Sequence, residues 1–258
     1  MSSHNIIPSL LHLPVELTYR ILDHLAPSDI LVSVRDVCSR LNAITNIYPR
    51  FQTLVTLDLL SNGIDDDEGA CCLADALKIN QAITRLDLTR NNIGPQGAQH
   101  LADALKINQT LKILSLSDNT IGEEGACYLS DALKINKTLV TLHLHGNRIN
   151  DKGAQCFADM MMINQVTHNF ITLTKLNLRS ACIDFEGAQF LGDALRSNRT
   201  LTELDISFNR IGDDGAQYLG NGLKNNQVKE KEYLVICHIL INIFLTVTEN
   251  IDDSNEQY

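Results

Sequence analysis

The 258-residue sequence contains no tryptophan and few other aromatic residues. Aromatic residues make up 5% of the chain, which disfavours a stacking platform for nucleic-acid bases. Positive charge is also scarce, because 21 lysines and arginines stand against 31 aspartates and glutamates, for a net charge of -10. This charge disfavours DNA, RNA or an anionic membrane as the main partner.

Signals of secretion and of redox chemistry are missing as well. The N-terminus has no basic region followed by an apolar run and a small-residue cleavage site, so no secretory signal is predicted. The seven cysteines are odd in number and form no C-x-x-C motif. We therefore expect reduced thiols in a cytoplasmic or nuclear protein, with the adjacent Cys71 and Cys72 incidental to a helix.

Catalytic motifs are equally scarce: the sequence has no G-x-S-x-G, H-E-x-x-H or P-loop. The acidic run "DDDEG" at 65–69 lacks calcium-loop spacing and suits the start of a helix. His143 and His145 alternate on one predicted strand, but zinc needs at least three protein ligands and the neighbouring strands supply no third. We expect no catalytic residue, no cofactor and no metal, and interpret the two histidines as part of a polar recognition surface.

From Thr53 onward the chain repeats the pattern LxxLxLxxNxIxxxGAxxLxxAL. The second leucine of the pattern recurs at steps of 29, 28, 28, 34 and 28 residues, at Leu57, Leu86, Leu114, Leu142, Leu176 and Leu204. The extra residues lie in the acidic loop "IDDDEG" and in "VTHNFI" at 166–171. Both insertions fall at loop positions, as a solenoid requires.

Each repeat has two halves with different periods. The LxLxx half alternates, which predicts a short strand with two leucines directed inward. The GAxxLxxAL half is helical, because Ala98, Leu101, Ala102 and Leu105 follow the spacing i, i+3, i+4, i+7. A glycine begins this half, where small size or an unusual φ is useful. It recurs at Gly69, Gly97, Gly125, Gly153, Gly187 and Gly215.

Asparagines recur at two positions of the repeat. After the strand they are Asn62, Asn91, Asn119, Asn147 and Asn209. Buried there, they would bond backbone groups of neighbouring turns and form a ladder. The fifth unit has Ala181 instead, so we expect it to be the softest. The second position holds three glycosylation sequons, at Asn108, Asn136 and Asn198, which the repeat itself explains.

These residues resemble leucine-rich repeats of the ribonuclease-inhibitor type, over six units at 53–227. The resemblance implies an α/β fold, a right-handed horseshoe with parallel strands on the concave face and helices outside. It does not extend to ribonuclease binding. The strand phase then predicts a concave surface of mixed charge, suited to a protein substrate. Its predicted residues are Arg85, Asp87, Ser115, Ser117, His143, His145, Lys175, Asn177, Arg179, Glu203 and Asp205.

The stretch "LPVELTYRILDHLAPSDILVSVRDVCSRL" precedes the repeats. Its leucines and Ile21 step by four onto one helix face, which so small a segment cannot bury. It resembles an F-box, LPxELxxxILxxLxxxDILxxxxVCxxL, within residues 10–52, with Tyr48 or Phe51 as its final aromatic. The resemblance implies a three-helix bundle that binds the Skp-type adaptor of a cullin–RING ligase. The implied contacts are Leu13, Pro14, Leu17, Ile21, Leu25 and Val37.

Together the two resemblances imply a non-catalytic substrate-recognition subunit of an SCF-type E3 ubiquitin ligase. The adaptor would bind at the N-terminus, a cullin would bind through the adaptor, and the repeats would bind a substrate that the sequence does not identify. The alternative is a stand-alone leucine-rich-repeat scaffold or regulator, in which the N-terminal helices only cap the first repeat.

The segment 228–258 departs from the repeat. The pattern stops after Gln227, and "YLVICHILINIFLTV" is apolar and rich in β-branched residues. A helix of this length spans about 22 Å, short of the ~30 Å hydrocarbon core. Three interpretations stay open: a cap on the last repeat, a membrane tail anchor, or translated sequence that is not native to the protein. We expect an irregular segment from about residue 229, with at most one strand or helix against the last repeat.

Overall fold

The computed structural model describes residues 55–64, 69–163, 172–224 and 226. The predicted N-terminal module at 10–52, the insertion at 166–171 and the tail at 228–258 lie outside the described residues. Within those residues no helix is long and apolar enough to cross a membrane.

The described chain alternates between strand and helix six times. The strands are β1 (Thr56–Asp58), β2 (Arg85–Asp87), β3 (Ile113–Ser115), β4 (Thr141–His143), β5 (Lys175–Asn177) and β6 (Glu203–Asp205). The helices are α1 (Gly69–Ile79), α2 (Pro95–Ile107), α3 (Gly122–Leu133), α4 (Asn150–Ile163), α5 (Phe185–Ser197) and α6 (Gly212–Lys224). The predicted α/β horseshoe is confirmed.

The six strands form one parallel sheet in the order in which they occur in the chain. The second leucine of each repeat pairs with its counterpart in the next, beginning with Leu57 opposite Leu86. The long step in the fourth unit does not disturb this register, because Leu142 still lies opposite Leu176. The pairing of β4 with β5 therefore keeps the register of the other strands despite the longer step.

The core fills the space between the sheet and the helices. Leu86 and Leu88 point inward from β2, and Leu101 and Leu105 meet them from α2, with exposures of at most 1%. Every complete unit repeats this packing, so one continuous hydrophobic cluster runs from Leu57 to Leu219. Each unit buries its apolar face against its neighbours, which is the reason a single repeat is not stable alone.

The glycine at the helix start is required for its small size. A Cβ on Gly215 would lie 2.6 Å from Ile211 Cγ2 and 3.0 Å from Ala188 Cβ. No positive φ accompanies this glycine, so conformational freedom is not the reason. Of the two reasons that the sequence left open, close packing against the preceding helix is the one that applies.

The predicted asparagine ladder is present after the strands. Asn119 is representative: its Nδ2 donates to the carbonyls of Leu88 and Leu116 at 2.9 Å each, and its Oδ1 accepts from the backbone N–H of Ile93 at 3.1 Å. One amide thus satisfies backbone groups of its own turn and of the previous turn. Asn91, Asn147 and Asn209 make the same type of contact.

In the fifth unit an aspartate from the fourth links the two turns instead. Ala181 has no side-chain amide, but its carbonyl accepts from the Asn150 N–H at 3.0 Å. Asp151 Oδ1 accepts from the backbone N–H groups of Asp184 at 2.8 Å and Gly187 at 3.0 Å. This side-chain contact between the fourth and fifth units lies at the start of α5, rather than in the turn after the strand. That the fifth unit is the softest stays a prediction.

A second asparagine ladder runs along the carboxyl ends of the helices. Asn136 Nδ2 donates to the carbonyls of Leu105 and Asn108, and its Oδ1 accepts from the N–H groups of Thr138 and Leu139. The three sequon asparagines are at most 2% exposed. Their side chains are structural, which agrees with the interpretation that the repeat explains the sequons.

The expectation of fully reduced thiols does not hold in this structure. Cys127 on α3 and Cys156 on α4 form a disulfide, with their Cα atoms 5.2 Å apart. The two residues occupy different positions of the repeat, two and three residues after the helix glycine, so no local motif reveals them. Neighbouring helices of the solenoid bring them together. Cys71 and Cys182 are free thiols.

Asn119→Ala should lower the free energy of unfolding by about 1–3 kcal/mol, because it leaves the buried Ile93 N–H without its acceptor and removes one of the two side-chain donors to the carbonyls of Leu88 and Leu116. Asn62→Ala is the matched control, since within the described residues the Asn62 amide donates only to the Leu60 carbonyl of its own turn and is partly exposed. Urea denaturation followed by far-UV circular dichroism measures both. Equal losses at the two positions would contradict a ladder that joins the turns.

Candidate protein-binding surface

The predicted recognition residues lie on the strand face opposite the core. Leu114 and Leu116 point inward, so Ser115 between them points to the concave side, and the same alternation holds on each strand. Three of the predicted side chains are exposed: Arg85, Lys175 and Arg179. Six are partly buried: Asp87, His143, His145, Asn177, Glu203 and Asp205.

The two remaining predicted residues are buried. Ser115 is 5% exposed and Ser117 is 9% exposed. Ser115 lies between Asp87 and His143 in the strand register, and these larger residues flank it on both sides. The two serines therefore offer a partner little area, and the accessible concave surface consists of the longer side chains around them.

Several of these longer side chains are already paired with one another. Lys175 Nζ lies 2.7 Å from Glu203 Oε2. Asn177 Nδ2 donates to Asp205 Oδ2 at 3.2 Å, and Asp205 Oδ1 accepts from the Ser207 hydroxyl at 2.6 Å. Exposed pairs of this kind contribute little to stability. Their effect is to hold the side chains of β5 and β6 in fixed positions.

Asp118 connects three successive units at the rim of the concave face. Its Oδ2 lies 3.3 Å from Arg90 Nε, and its Oδ1 lies 3.5 Å from His145 Nε2. Sequence reasoning did not select Asp118 or Arg90 because both follow the strand, beyond the reach of its alternation. The available signal was their common position, directly before the ladder asparagine.

That position forms a row of turns with left-handed backbone. The residues with φ between 51° and 74° there are Ser61, Arg90, Asp118, Gly146, Ser180 and Phe208. Phe208 is the exception in chemistry, because a bulky aromatic residue is uncommon at positive φ. It is also 72% exposed. Sequence reasoning did not select it, although aligning the repeats sets it apart.

Arg179 stacks on the exposed ring of Phe208. Its Cζ lies 4.1 Å from the ring centroid, within the range of a cation–π contact. Arg179 was predicted as a recognition residue, and this contact fixes its guanidinium at the rim between the fifth and sixth units. Two further arginines, Arg148 and Arg210, are exposed on the neighbouring turns.

His143 lies near the middle of the concave face. Burial lowers the pKa of His143 below its usual value, and Arg85 acts in the same direction, with Glu203 and Asp87 opposing them. The imidazole is therefore neutral at pH 7. Among the described residues no cluster of three histidine, cysteine or acidic side chains is placed to hold a metal ion.

The lowered pKa of His143 predicts a pH-dependent contribution to stability. The unfolded chain binds the proton first, near pH 6.5, so the wild type should lose stability relative to His143→Asn as the pH falls through about 6.5. Asparagine copies the residue found at this position in the fifth unit. Thermal unfolding midpoints between about pH 5 and 8 test this, with His100→Asn on α2 as the control. A wild-type-to-variant difference that is constant over this range would contradict it.

Two family models match the chain. The F-box-like model covers residues 10–48, and the leucine-rich-repeat model covers residues 80–102, 108–130, 136–158, 171–192 and 197–220. The first unit, β1 and α1, is not matched, but its strand pairs with β2 in the register of the others. A search of curated proteins finds no match.

Similar solved structures include Leiomodin-1 actin-binding site 2, which has 15% identity and a TM-score of 0.45, with 91% of this chain and 99% of that chain covered. The tropomodulin C-terminal domain of Caenorhabditis elegans has 13% identity and a TM-score of 0.43, with 78% and 93% covered. The family matches agree with the motifs and the strand–helix rhythm, and the chain therefore belongs to the F-box/leucine-rich repeat proteins.

Proposed function

We propose that the protein is the substrate-recognition subunit of an SCF-type E3 ubiquitin ligase, working in the cytoplasm or nucleus. The observation that carries the proposal is the presence, in one chain, of an F-box-like module at 10–48 directly before leucine-rich repeats at 80–220. F-box modules generally bind Skp-type adaptors, and leucine-rich repeats generally bind proteins. The pairing provides one site for the ligase and another for its substrate.

In this function the chain positions the substrate and supplies no reacting group. Both families are generally interaction modules without catalytic activity. The adaptor and cullin would hold a charged ubiquitin-conjugating enzyme near a substrate held by the repeats. Ubiquitin transfer would then gain from a high local concentration of substrate lysines. The contribution required of the repeats is a rigid surface, which the paired side chains of β5 and β6 supply.

The accessible concave surface supports a protein as the substrate. It presents both signs of charge, with Arg85 and Lys175 exposed beside partly buried Asp87 and Glu203. A mixed surface favours a partner of complementary mixed charge over a polyanion, for which one sign would dominate. We propose the predicted concave residues as the substrate site, with most contact area from the arginines, lysine and histidines.

A stand-alone repeat scaffold is the alternative. It uses the same concave surface but assigns the N-terminal helices to capping the first unit. The two functions differ in one observable, the recovery of an adaptor and a cullin with the purified protein.

Leu17→Asp with Ile21→Asp should abolish adaptor binding, because each substitution places an unpaired carboxylate in a desolvated apolar contact. Tyr19→Asp is the control, since at about 100° per residue it lies on the opposite side of the predicted helix from Leu17. Binding of a purified Skp-type adaptor is measured by titration, and circular dichroism verifies that the repeats stay folded. Unchanged adaptor affinity in the double variant would overturn the assignment of this face.

His145→Glu with Arg179→Glu should weaken substrate capture and leave adaptor binding intact. The change removes a stacked guanidinium and adds repulsion at the rim, where like charges oppose association. The control is Gln99→Glu with Gln155→Glu, two exposed positions on the outer helices α2 and α4. Affinity purification with cullin activity blocked compares the proteins retained by each variant. Loss of capture in the control instead would place the substrate on the convex side.

A further inference from the structure

We propose that the rim of the fourth to sixth units binds an acidic peptide segment that carries one apolar side chain, with Phe208 and Arg179 as its anchor. This inference rests on the proposed function, because it assigns the segment to the substrate. The charged groups of the bound peptide are carboxylates, and its apolar side chain is aliphatic.

The first support is that Phe208 breaks the local rule of its position. Five of the six turns place serine, arginine, aspartate or glycine in the left-handed conformation, and the sixth places an aromatic residue there, at φ 58°. The left-handed conformation is unfavourable for a bulky residue with a Cβ. The ring gains nothing from the core in return, since it is 72% exposed, and its one described ring contact is with the Arg179 guanidinium. Strained backbone of this kind is a reason to look for a functional role.

The second support is the set of contacts that the Arg179 side chain makes. Its guanidinium lies over the Phe208 ring, with Cζ 4.1 Å from the ring centroid, and its N–H donors lie in the guanidinium plane. Among the described residues no carboxylate lies within ion-pair distance of it. A carboxylate from a partner can therefore bind edge-on, in the two-pronged geometry that arginine favours. The other face of the ring is left for an apolar side chain.

The third support is the distribution of charge around this anchor. Arg148 and Arg210 occupy the same position of the repeat two units apart, and Arg179 lies on the unit between them, three residues earlier in the repeat. Backbone hydrogen bonds from Gly146 to Arg179 and from Arg210 to Ile183 join these units. Neighbouring strands are about 4.8 Å apart, so the outer two arginines lie about 10 Å apart along the solenoid. An extended peptide covers that distance in about three residues. A short row of carboxylates fits this spacing better than a single anionic group.

Several nearby acids already have partners. Glu203 is paired with Lys175, and Asp205 is bonded to Asn177 and Ser207. Asp151 and Asp184 accept from backbone N–H groups at the start of α5, and Asp213 and Asp214 lie in the first turn of α6. Within the described part of the chain no carboxylate lies within ion-pair distance of the three rim arginines, so their donors are available to a partner.

The test uses the full-length protein and a fluorescein-labelled peptide with one leucine between three glutamates on each side. Fluorescence anisotropy compares it with two relatives, one with glutamines for the glutamates and one with serine for the leucine. We expect both replacements to weaken binding about tenfold or more, the scale of an interface hot spot. Binding of the acidic peptide should also weaken as salt is added.

Phe208→Asn should weaken binding about tenfold while the thermal midpoint stays or rises, because asparagine tolerates positive φ. If the thermal midpoint falls instead, the double variant Arg148→Gln with Arg210→Gln provides the test, because both side chains are exposed. We expect this variant to bind the acidic peptide about fivefold more weakly, with a smaller dependence on salt. The controls are Phe185→Asn and Arg196→Gln, exposed positions on α5 that lose the same residue types. They should leave affinity within about twofold of the wild type.

Equal affinity for the acidic and the glutamine peptide, or wild-type affinity in both rim variants, would overturn the inference. Adaptor binding is measured on the same samples. Failure of the wild-type protein to bind the acidic peptide while it still binds the adaptor would overturn the rim site alone. Failure of the wild type to bind any Skp-type adaptor would instead overturn the proposed function, whatever the peptide does.

Discussion

The buried side-chain amide of asparagine is the contact on which the solenoid depends. Each strand has only three residues, so the ladder of the sheet is short. Most of the chain between strand and helix lies in turns, whose backbone groups need partners once the next unit covers them. Asn119 and Asn136 show how two ladders, one at each end of the helix, supply those partners. The leucine core provides the driving force, but the amides determine how one turn rests on the next.

Much of this fold follows from the sequence because its rules are periodic. The alternation of leucines around Leu114 predicts the strand, the spacing of Leu101 and Leu105 predicts the helix, and the recurrence of Asn119 predicts the first ladder. The function of the second ladder was missed, because its members coincide with glycosylation sequons. The sequence allowed two reasons for a glycine at position 215, small size or an unusual φ. Only the 2.6 Å that would separate a Cβ there from Ile211 Cγ2 identifies small size as the reason.

The parts that sequence reasoning missed depend on how particular side chains meet. Asp151 at the helix start of the fourth unit accepts from backbone N–H groups at the start of α5, a contact between the fourth and fifth units that no repeat pattern encodes. Cys127 and Cys156 meet because consecutive helices of the solenoid pack side by side, although the two residues occupy different positions of the repeat. Arg179 was predicted from strand phase, but its stacking on Phe208 arises from a turn with left-handed backbone. Periodicity determines where a Cβ lies, whereas these contacts depend on rotamers and on turns.

The register from Leu142 to Leu176 has a consequence for how such a surface can change. Six additional residues enter the chain between these strands, and the concave columns continue without a slip. The chain length between β4 and β5 is therefore uncoupled from the spacing of the strands. A loop can grow, shrink or acquire a new sequence there while a bound partner still meets side chains at a fixed pitch of about 4.8 Å. The exposed residues of one unit can therefore change while the spacing and register of the other units stay the same.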